Sequence, residues 1–456
     1  YKDDNMFAAM PPGEAMKLLT SLAVVENNPR GVTKIALIDV KRAHFHSPAT
    51  RDIFVELPAE RKQEGMCGHL KRSMYGTRDA AYNWEMEYTR VLLAAGSRQG
   101  VSTPCVFIHD ERKIRVCVHG DDFVVTGTQR DIEWIEAVMR ESFDIKDAVI
   151  IGPEAGDGRV LNVLNRKIMW SENGDEISWE ADHRHLDTLL ASLKLKGAKS
   201  VATPGVKDSA DTKKRYEDGE DVKLEGATVT VYRSATMRLV YLAVDRPDIQ
   251  FSVKEAARKL KEPTEGDMQK LKRIVRYLIG VPEAKCVQRR QAVPSRIVVS
   301  TDSDWAGCGV TRKSTSGGCI HFGTHLIKAW STTQQTLALS SGEAEYIAIV
   351  KGSAVALGVR SLLEDFGMKS LPIRLQTDAT AGKAIASRRG LGKTRHVALH
   401  LLWVQQRVRN GEIEVVKVST EHNLADLYTK HHAGPRIAHL MRYMGVELKK
   451  AKKDTA

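Results

Sequence analysis

Apolar runs that end on acids constrain this chain more than any other feature. KIALIDV (34–40) carries Asp39 near its end, RIVVSTD (296–302) closes on Asp302, and LPIRLQTD (371–378) closes on Asp378. In RVCVHGDDFVVTG (115–127), two β-branched or aromatic runs flank Asp121 and Asp122. Strands that end this way bring carboxylates to a sheet edge, where each is solvated or neutralised. Taken alone, Gly-Asp between two such runs is an ordinary hairpin turn signal. Whether the turn also holds a metal ion depends on the rest of the chain.

The surrounding pattern alternates. Residues 14–28 read as a helix ahead of the strand at 34–40. YGTRDAAYNWEMEYTRVLLAAG (75–96) has helical apolar spacing and stops at Gly96, and DIEWIEAVMRESF (131–143) is an amphipathic helix. The stretch 205–228, which contains DSADTKKRYEDGEDVK, is charged and poor in apolar residues, so it reads as a linker. Residues 231–280 predict two or three helices, the last of them MQKLKRIVRYLIG. Past residue 293 the rhythm changes. RIVVSTD, GGCIHFG and HLIKAWS predict an antiparallel meander, and 340–367 a long helix. LPIRLQTD is a strand, ATAGKAIAS begins a helix, and VALHLLWVQQRVRNG is a helix ending at Gly411. IEVVKVS is a strand and NLADLYTKHH a final helix. That order predicts a mixed α/β layer around one sheet.

Composition narrows the partners. The chain has 456 residues, enough for two to four domains. Lys plus Arg is 69 against 57 for Asp plus Glu, a formal charge of +12 with a pI near 9.3. A globular chain this basic is expected to meet a polyanion. None of the six cysteines forms a C-x-x-C pair, which argues against a zinc ribbon. With no signal peptide and no long apolar span evident, the chain reads as intracellular, soluble and free of any membrane. Its first residue is Tyr1 rather than methionine, so it reads as a piece of something longer. ELKKAKKD (447–454) reads as a frayed, solvated basic end.

Four acids in the last third each allow a plain explanation. Asp302 and Asp378 fit as caps of the next element. Glu343 follows Ser340 by three residues, a capping-box spacing, and Asp426 fits as a solvated helix residue. Together they ask for more. Four gathered carboxylates repel unless cations neutralise them. Two Mg²⁺ ions on hard oxygen ligands, about 3.5–4 Å apart, are the usual solution, and they serve phosphodiester hydrolysis.

TDSDWAG, TRKSTSGG, ALSSGEAEY and the A-D-x-x-T-K of ADLYTK strongly resemble the ribonuclease H domain of copia-type LTR retrotransposon polyproteins. The resemblance implies that Asp302, Glu343, Asp378 and Asp426 are the catalytic acids and metal ligands. KTRH (393–396) is similar to the family's basic stretch, and Arg312, Lys313, Lys393, Arg395 and His396 are then expected to touch substrate. His396 and His400 read as a solvated or packed face, or as substrate contacts, rather than as a zinc pair.

The resemblance extends upstream. IDVKRAHFHS is similar to the family's D-V-K-x-A-F-L-x-G, MYGTRDAAYNW to its L-Y-G-L-K-Q-A-x-R-x-W, and HGDD falls where it has Y-V-D-D. ATPGV (202–206) and the helical segment within 232–280 also fit. The fold implied is α/β (α+β): a right-hand-like reverse transcriptase palm with partial fingers and thumb or connection, then a ribonuclease H-like domain with a mixed five-stranded sheet and flanking helices. The boundaries expected are 1–204 for the reverse transcriptase, 205–228 for the linker, 229–292 for a helical connection, 293–445 for the ribonuclease H-like domain and 446–456 for a basic tail.

In the palm, the resemblance implies that Asp39 and Asp121 hold two Mg²⁺, with Mn²⁺ as a substitute, and that Asp122 supports the site catalytically. His44 stands where the family screens the sugar 2′ position. The partners implied are an RNA template, a DNA primer, an RNA–DNA hybrid and deoxynucleoside triphosphates. The places implied are a cytoplasmic particle, the nucleus, or both. Three readings remain: a bifunctional polymerase and ribonuclease H, a chain that keeps only RNA cleavage, or a silent nucleic-acid binder.

Overall fold

The computed structural model describes residues 6–182, 184–207, 209, 221–392, 396 and 398–451. Half of the expected linker at 205–228, residues 208 and 210–220, lies outside the described residues, as do Lys393 and Arg395. The chain divides into two compact units. The first comprises Tyr1–Leu161, Met169–Asp175 and Gly358–Ser370, and the second Asn162–Ile168, Glu176–Leu357 and Leu371–Ala456.

In the first unit, helix α1 (Gly13–Val25) precedes strand β1 (Lys34–Asp39). Strands β2 (Phe54–Val55) and β3 (Gly68–His69) form a small antiparallel ribbon. Helix α2 (Ala80–Ala94) leads into β4 (Arg98–Gln99), β5 (Val106–His109), β6 (Ile114–His119) and β7 (Asp122–Gly127). Helix α3 (Gln129–Ser142) and β8 (Val149–Ile151) follow. Six strands make one sheet in the order β4-β5-β6-β7-β1-β8. β1 lies antiparallel beside β7, with Asp39 opposite Asp122. The central strands β5, β6, β7 and β1 are mostly apolar and buried, because both faces of the sheet are covered. On one face, α2 and α3 contribute to a core that includes Trp84, Tyr88, Phe107, Phe123 and Phe143. α1 packs on β6 and β7. α2 starts at Ala80 rather than at Tyr75. Asp79 is held by Arg51 through hydrogen bonds of 2.9 and 3.0 Å, and the residues before it turn instead of winding.

Strands β9 (Val160–Val163), β10 (Arg166–Trp170) and β11 (Glu176–Glu180) come next in the chain. Helices α4 (Arg184–Ser192), α5 (Ala227–Ala243), α6 (Gln250–Ala257) and α7 (Glu265–Gly280) share one core around Leu189, Tyr232, Leu271 and Tyr277. α7 begins with a reciprocal capping box between Thr264 and Asp267, which satisfies two of its unpaired N–H groups. Strand β12 (Glu283–Arg289) follows. Then come β13 (Ile297–Asp304), β14 (Thr315–Phe322), β15 (His325–Thr333), helix α8 (Ser341–Asp365) and β16 (Ile373–Thr377). Helices α9 (Thr380–Ser387) and α10 (Trp403–Arg409), strand β17 (Ile413–Lys417), helix α11 (Gly434–Tyr443) and strand β18 (Val446–Lys449) complete the chain.

The sheet order β15-β14-β13-β16-β17 is the mixed five-stranded arrangement expected, with β13, β16 and β17 parallel and the meander antiparallel. The glycines of TSGG are steric requirements. A Cβ on Gly318 would lie 2.1 Å from the Trp330 ring, and one on Gly317 would lie 2.7 Å from Thr429 Cγ2.

Several expectations are corrected. Residues 446–449 are not a frayed tail, because β18 pairs with β12, which pairs in turn with β11. That pairing ties residues near 180, 285 and 447 together, and the helical segment falls in the same compact unit as the mixed five-stranded sheet. NLADLYTKHH is a five-residue 3₁₀ turn, Leu424–Tyr428, followed by non-helical residues, and the true helix begins at Gly434. Only the end of VALHLLWVQQRVRNG is α-helical. Among the described residues, one helix, Ser341–Asp365, is long and apolar enough to cross a membrane, where no long apolar span was expected. Its apolarity is that of a core helix, since over half of the stretch is buried in the fold.

Candidate active site

β13 and β16 run side by side and parallel, so their ends carry Asp302 and Asp378 to one edge of the sheet. α8 adds a third carboxylate, that of Glu345. One oxygen from each of Asp302, Glu345 and Asp378 lies within 4.8 Å of the other two, and no other trio of Asp, Glu, His or Cys among the described residues converges so closely. The helical phase explains the choice. Seven residues along from Glu345, on the same face, a Cβ on Gly352 would lie 2.4 Å from Thr301 and 3.3 Å from Val299 of β13. That stripe faces the sheet.

Glu343, expected as the ligand, is turned elsewhere. Its Oε2 accepts from the Leu339 N–H at 2.8 Å and lies 2.7 Å from His396 Nε2, while its own N–H donates to Ser340 Oγ at 3.2 Å. It secures the start of α8, the plain alternative its spacing allowed. Two residues apart on a helix means about 200° of rotation, so Glu343 and Glu345 cannot both face the acids.

The site is buried and charged. Asp302 is 6% exposed and Glu345 8% exposed. Burial pushes the Asp302 carboxyl up to about 7, with Asp378 and Asp426 adding to the rise and the Thr429 hydroxyl, which donates to it, opposing. Burial and the charges of Asp302 and Asp378 push Glu345 up to about 9, against the Ser303 N–H at 3.3 Å. Asp426 lies on the 3₁₀ turn Leu424–Tyr428, and its charge reaches Asp302. Asn423 positions that turn by donating to the Thr301 carbonyl at 3.1 Å and accepting from the Ala425 N–H at 3.2 Å. Asp426 pairs with Lys430, and His432 Nε2 and Arg436 lie 3.5 and 3.7 Å away. Hard oxygen donors that raise one another in this way are a donor set suited to a divalent cation.

A second acid group lies in the first unit. His119 pairs with Asp122, so Gly120 and Asp121 form a two-residue turn, with Gly120 at φ +68°. At that φ a valine, as in Y-V-D-D, would be strained, and glycine is not. Trp84 Nε1 donates to the Gly120 carbonyl at 2.8 Å and fixes the turn against α2. Burial, then the charges of Asp121 and Asp39, raise the Asp122 carboxyl. Asp39 Oδ2 lies 2.5 Å from Lys146 Nζ, so this group is less convergent than the first. His44 stacks on Tyr75 at 4.3 Å and lies in the field of Asp121, while its neighbour Phe45 is exposed. Arg312 and Lys313 lie in the loop between β13 and β14, Arg312 exposed and Lys313 half-buried, and of KTRH only His396, which meets Glu343, lies among the described residues.

Glu345, Lys430, Lys146 and Trp84 are the site residues that sequence reasoning missed. A signal existed for the first: Glu345, Gly352 and Ala356 fall on one helical stripe, and Glu343 does not.

The chain therefore carries acids at the hairpin of a six-stranded antiparallel sheet and a second, converging set of acids at the end of a mixed five-stranded sheet. The family profile "Reverse transcriptase (RNA-dependent DNA polymerase)" matches residues 2–156. The Retrovirus-related Pol polyprotein from transposon TNT 1-94 of Nicotiana tabacum is 26% identical over 437 residues, covering 94% of this chain and 32% of that protein. The Retrovirus-related Pol polyprotein from transposon RE1 of Arabidopsis thaliana is 27% identical over 437 residues, covering 93% and 28%. The chain thus spans less than a third of the length of these relatives. A foamy viral protease-reverse transcriptase in complex with RNA/DNA hybrid aligns over 88% of this chain and 46% of its own, with a TM-score of 0.49 and 11% identity. Residues 2–156 thus match the reverse transcriptase family, and over most of its length the chain is similar to the Pol polyproteins of copia-type transposons.

Proposed function

We propose that the chain is an RNA-directed DNA polymerase with ribonuclease H activity, acting on an RNA template, a DNA primer and the RNA–DNA hybrid they form. The observation that carries this reading is the convergence of Asp302, Glu345 and Asp378 within 4.8 Å. These three residues would hold Mg²⁺ or Mn²⁺, with Asp426 beside them, and Asp39 and Asp121, supported by Asp122, would do so in the palm. Bound divalent cations supply charge neutralisation at the phosphate and activation of the attacking oxygen.

The protein's own groups prepare both sites. Thr429 fixes one oxygen of Asp302 by hydrogen bonding, and Asn423 holds the turn that carries Asp426 against β13. In the palm, Trp84 anchors the hairpin turn, and the His44–Tyr75 stack beside Asp121 offers a surface for the incoming sugar. Arg312, Lys313, Lys393, Arg395 and His396 are the proposed contacts to the hybrid backbone. A reading with RNA cleavage alone is favoured by one observation: Asp39 is drawn to Lys146 rather than converging with Asp121 and Asp122.

The test is cleavage of an end-labelled RNA strand in an RNA–DNA hybrid by the full chain. Cutting is expected in Mg²⁺ or Mn²⁺, is expected to stop on chelation, and is expected to resume when metal is restored. Hybrid binding in chelator is expected to persist and to weaken steeply between about 50 and 200 mM salt. A chain that binds hybrid but never cuts it under any metal condition would be a silent binder, and the proposal would fail.

A further inference from the structure

We propose that Lys430 is a resident counter-cation that competes with divalent metal for the ribonuclease H acids and so sets the metal concentration the site requires. This inference rests on the metal reading of that site. The Lys430 ammonium pairs with Asp426, and its charge is felt by Asp302 and Asp378 as well. Asp426 is 4% exposed, whereas the Lys430 side chain is 52% exposed. The ammonium therefore meets the acids from the solvent side and has room to withdraw.

Its reach is set by the backbone. Lys430 directly follows Thr429, whose hydroxyl is bonded to Asp302, and the turn before it is held to β13 through Asn423. The flexible stem thus swings from a fixed base beside the acids. A carboxylate oxygen that carries an ammonium is not free to ligate a metal, and the positive charge repels a divalent ion nearby. A cation entering the site must displace Lys430 or share its carboxylates with it. Removing the lysine does not strand Asp426, because His432 and Arg436 stand at 3.5 and 3.7 Å.

Mn²⁺ binding to the full chain, followed by loss of the free-ion electron paramagnetic resonance signal, tests this. All samples carry Asp121→Asn to weaken the palm site. Lys430→Met is expected to bind Mn²⁺ about tenfold more tightly than its parent, as the loss of one nearby positive charge requires. Lys430→Arg, which keeps the charge, is expected to stay within about threefold of the parent. Thermal unfolding in chelator checks that each variant is folded. A Lys430→Met chain that binds no more tightly than its parent overturns the competition. If Asp302→Asn leaves Mn²⁺ binding unchanged, the acids hold no metal, and the inference falls together with the reading of the site rather than by itself.

Discussion

Glu345→Gln is expected to lower RNA cleavage roughly a hundredfold or more, whereas Glu343→Gln stays within a few fold of the parent. The two glutamates are separated by one residue and are both buried, so composition and burial do not distinguish them. Direction does. Glu345 shares its face of α8 with Gly352, which is pressed against Thr301, and its carboxylate meets those of Asp302 and Asp378. Glu343 spends its carboxylate on the Leu339 N–H and His396. Its loss is therefore expected as a stability effect of about 1 kcal/mol at the helix start, seen as a lower urea midpoint. Asp302→Asn is expected to behave as Glu345→Gln does, with hybrid binding near normal, because the change removes a proposed metal ligand and no positive charge. Cleavage lost in Glu343→Gln and kept in Glu345→Gln would reverse the assignment.

Trp84→Ala is expected to destabilise the first unit by about 3–5 kcal/mol, the range for removing a buried aromatic. Trp84 is 2% exposed and meets Phe143, Tyr88 and Phe123 edge-on, with ring centroids 4.9, 5.5 and 6.2 Å away. Its effect on function is separable through Trp84→Phe. Phenylalanine keeps most of the apolar volume but has no N–H for the Gly120 carbonyl, so its cost to stability is expected to be smaller. The turn carrying Asp121 then loses its anchor to α2, and primer extension is expected to fall while RNA cleavage is unaffected. Unchanged extension in a folded Trp84→Phe chain would show that the indole does not position the turn.

These two residues also mark where the sequence stops being legible. Strands that run into acids are plain in the chain, because β-branched runs of five to eight residues have few alternatives. Their placement of Asp302 and Asp378 at one sheet edge is thus legible in the sequence. The phase of α8 could not be, because SSGEAEY offers two glutamates and the packing of Gly352 on Thr301 selects between them. NLADLY has helical apolar spacing, but over five residues a 3₁₀ turn and an α-helix place the same side chains inward. The pairing of β11, β12 and β18 joins segments more than a hundred residues apart, and nothing local in ELKK announces its partner. In the hairpin, Gly120 departs from the family pattern, yet at φ +68° it is the residue the turn best accommodates.

The central claim is that the chain carries two separate acid sites with separate chemistry. It is tested most directly by one reaction on an RNA template, with labels on both the DNA primer and the RNA, run in Mg²⁺ and in Mn²⁺. Extension and cleavage are read together for the parent, Asp121→Asn and Asp378→Asn. The expected result is that Asp121→Asn loses extension and keeps cleavage, while Asp378→Asn loses cleavage and keeps extension. Extension that survives Asp121→Asn, or cleavage that survives Asp378→Asn, would contradict the account.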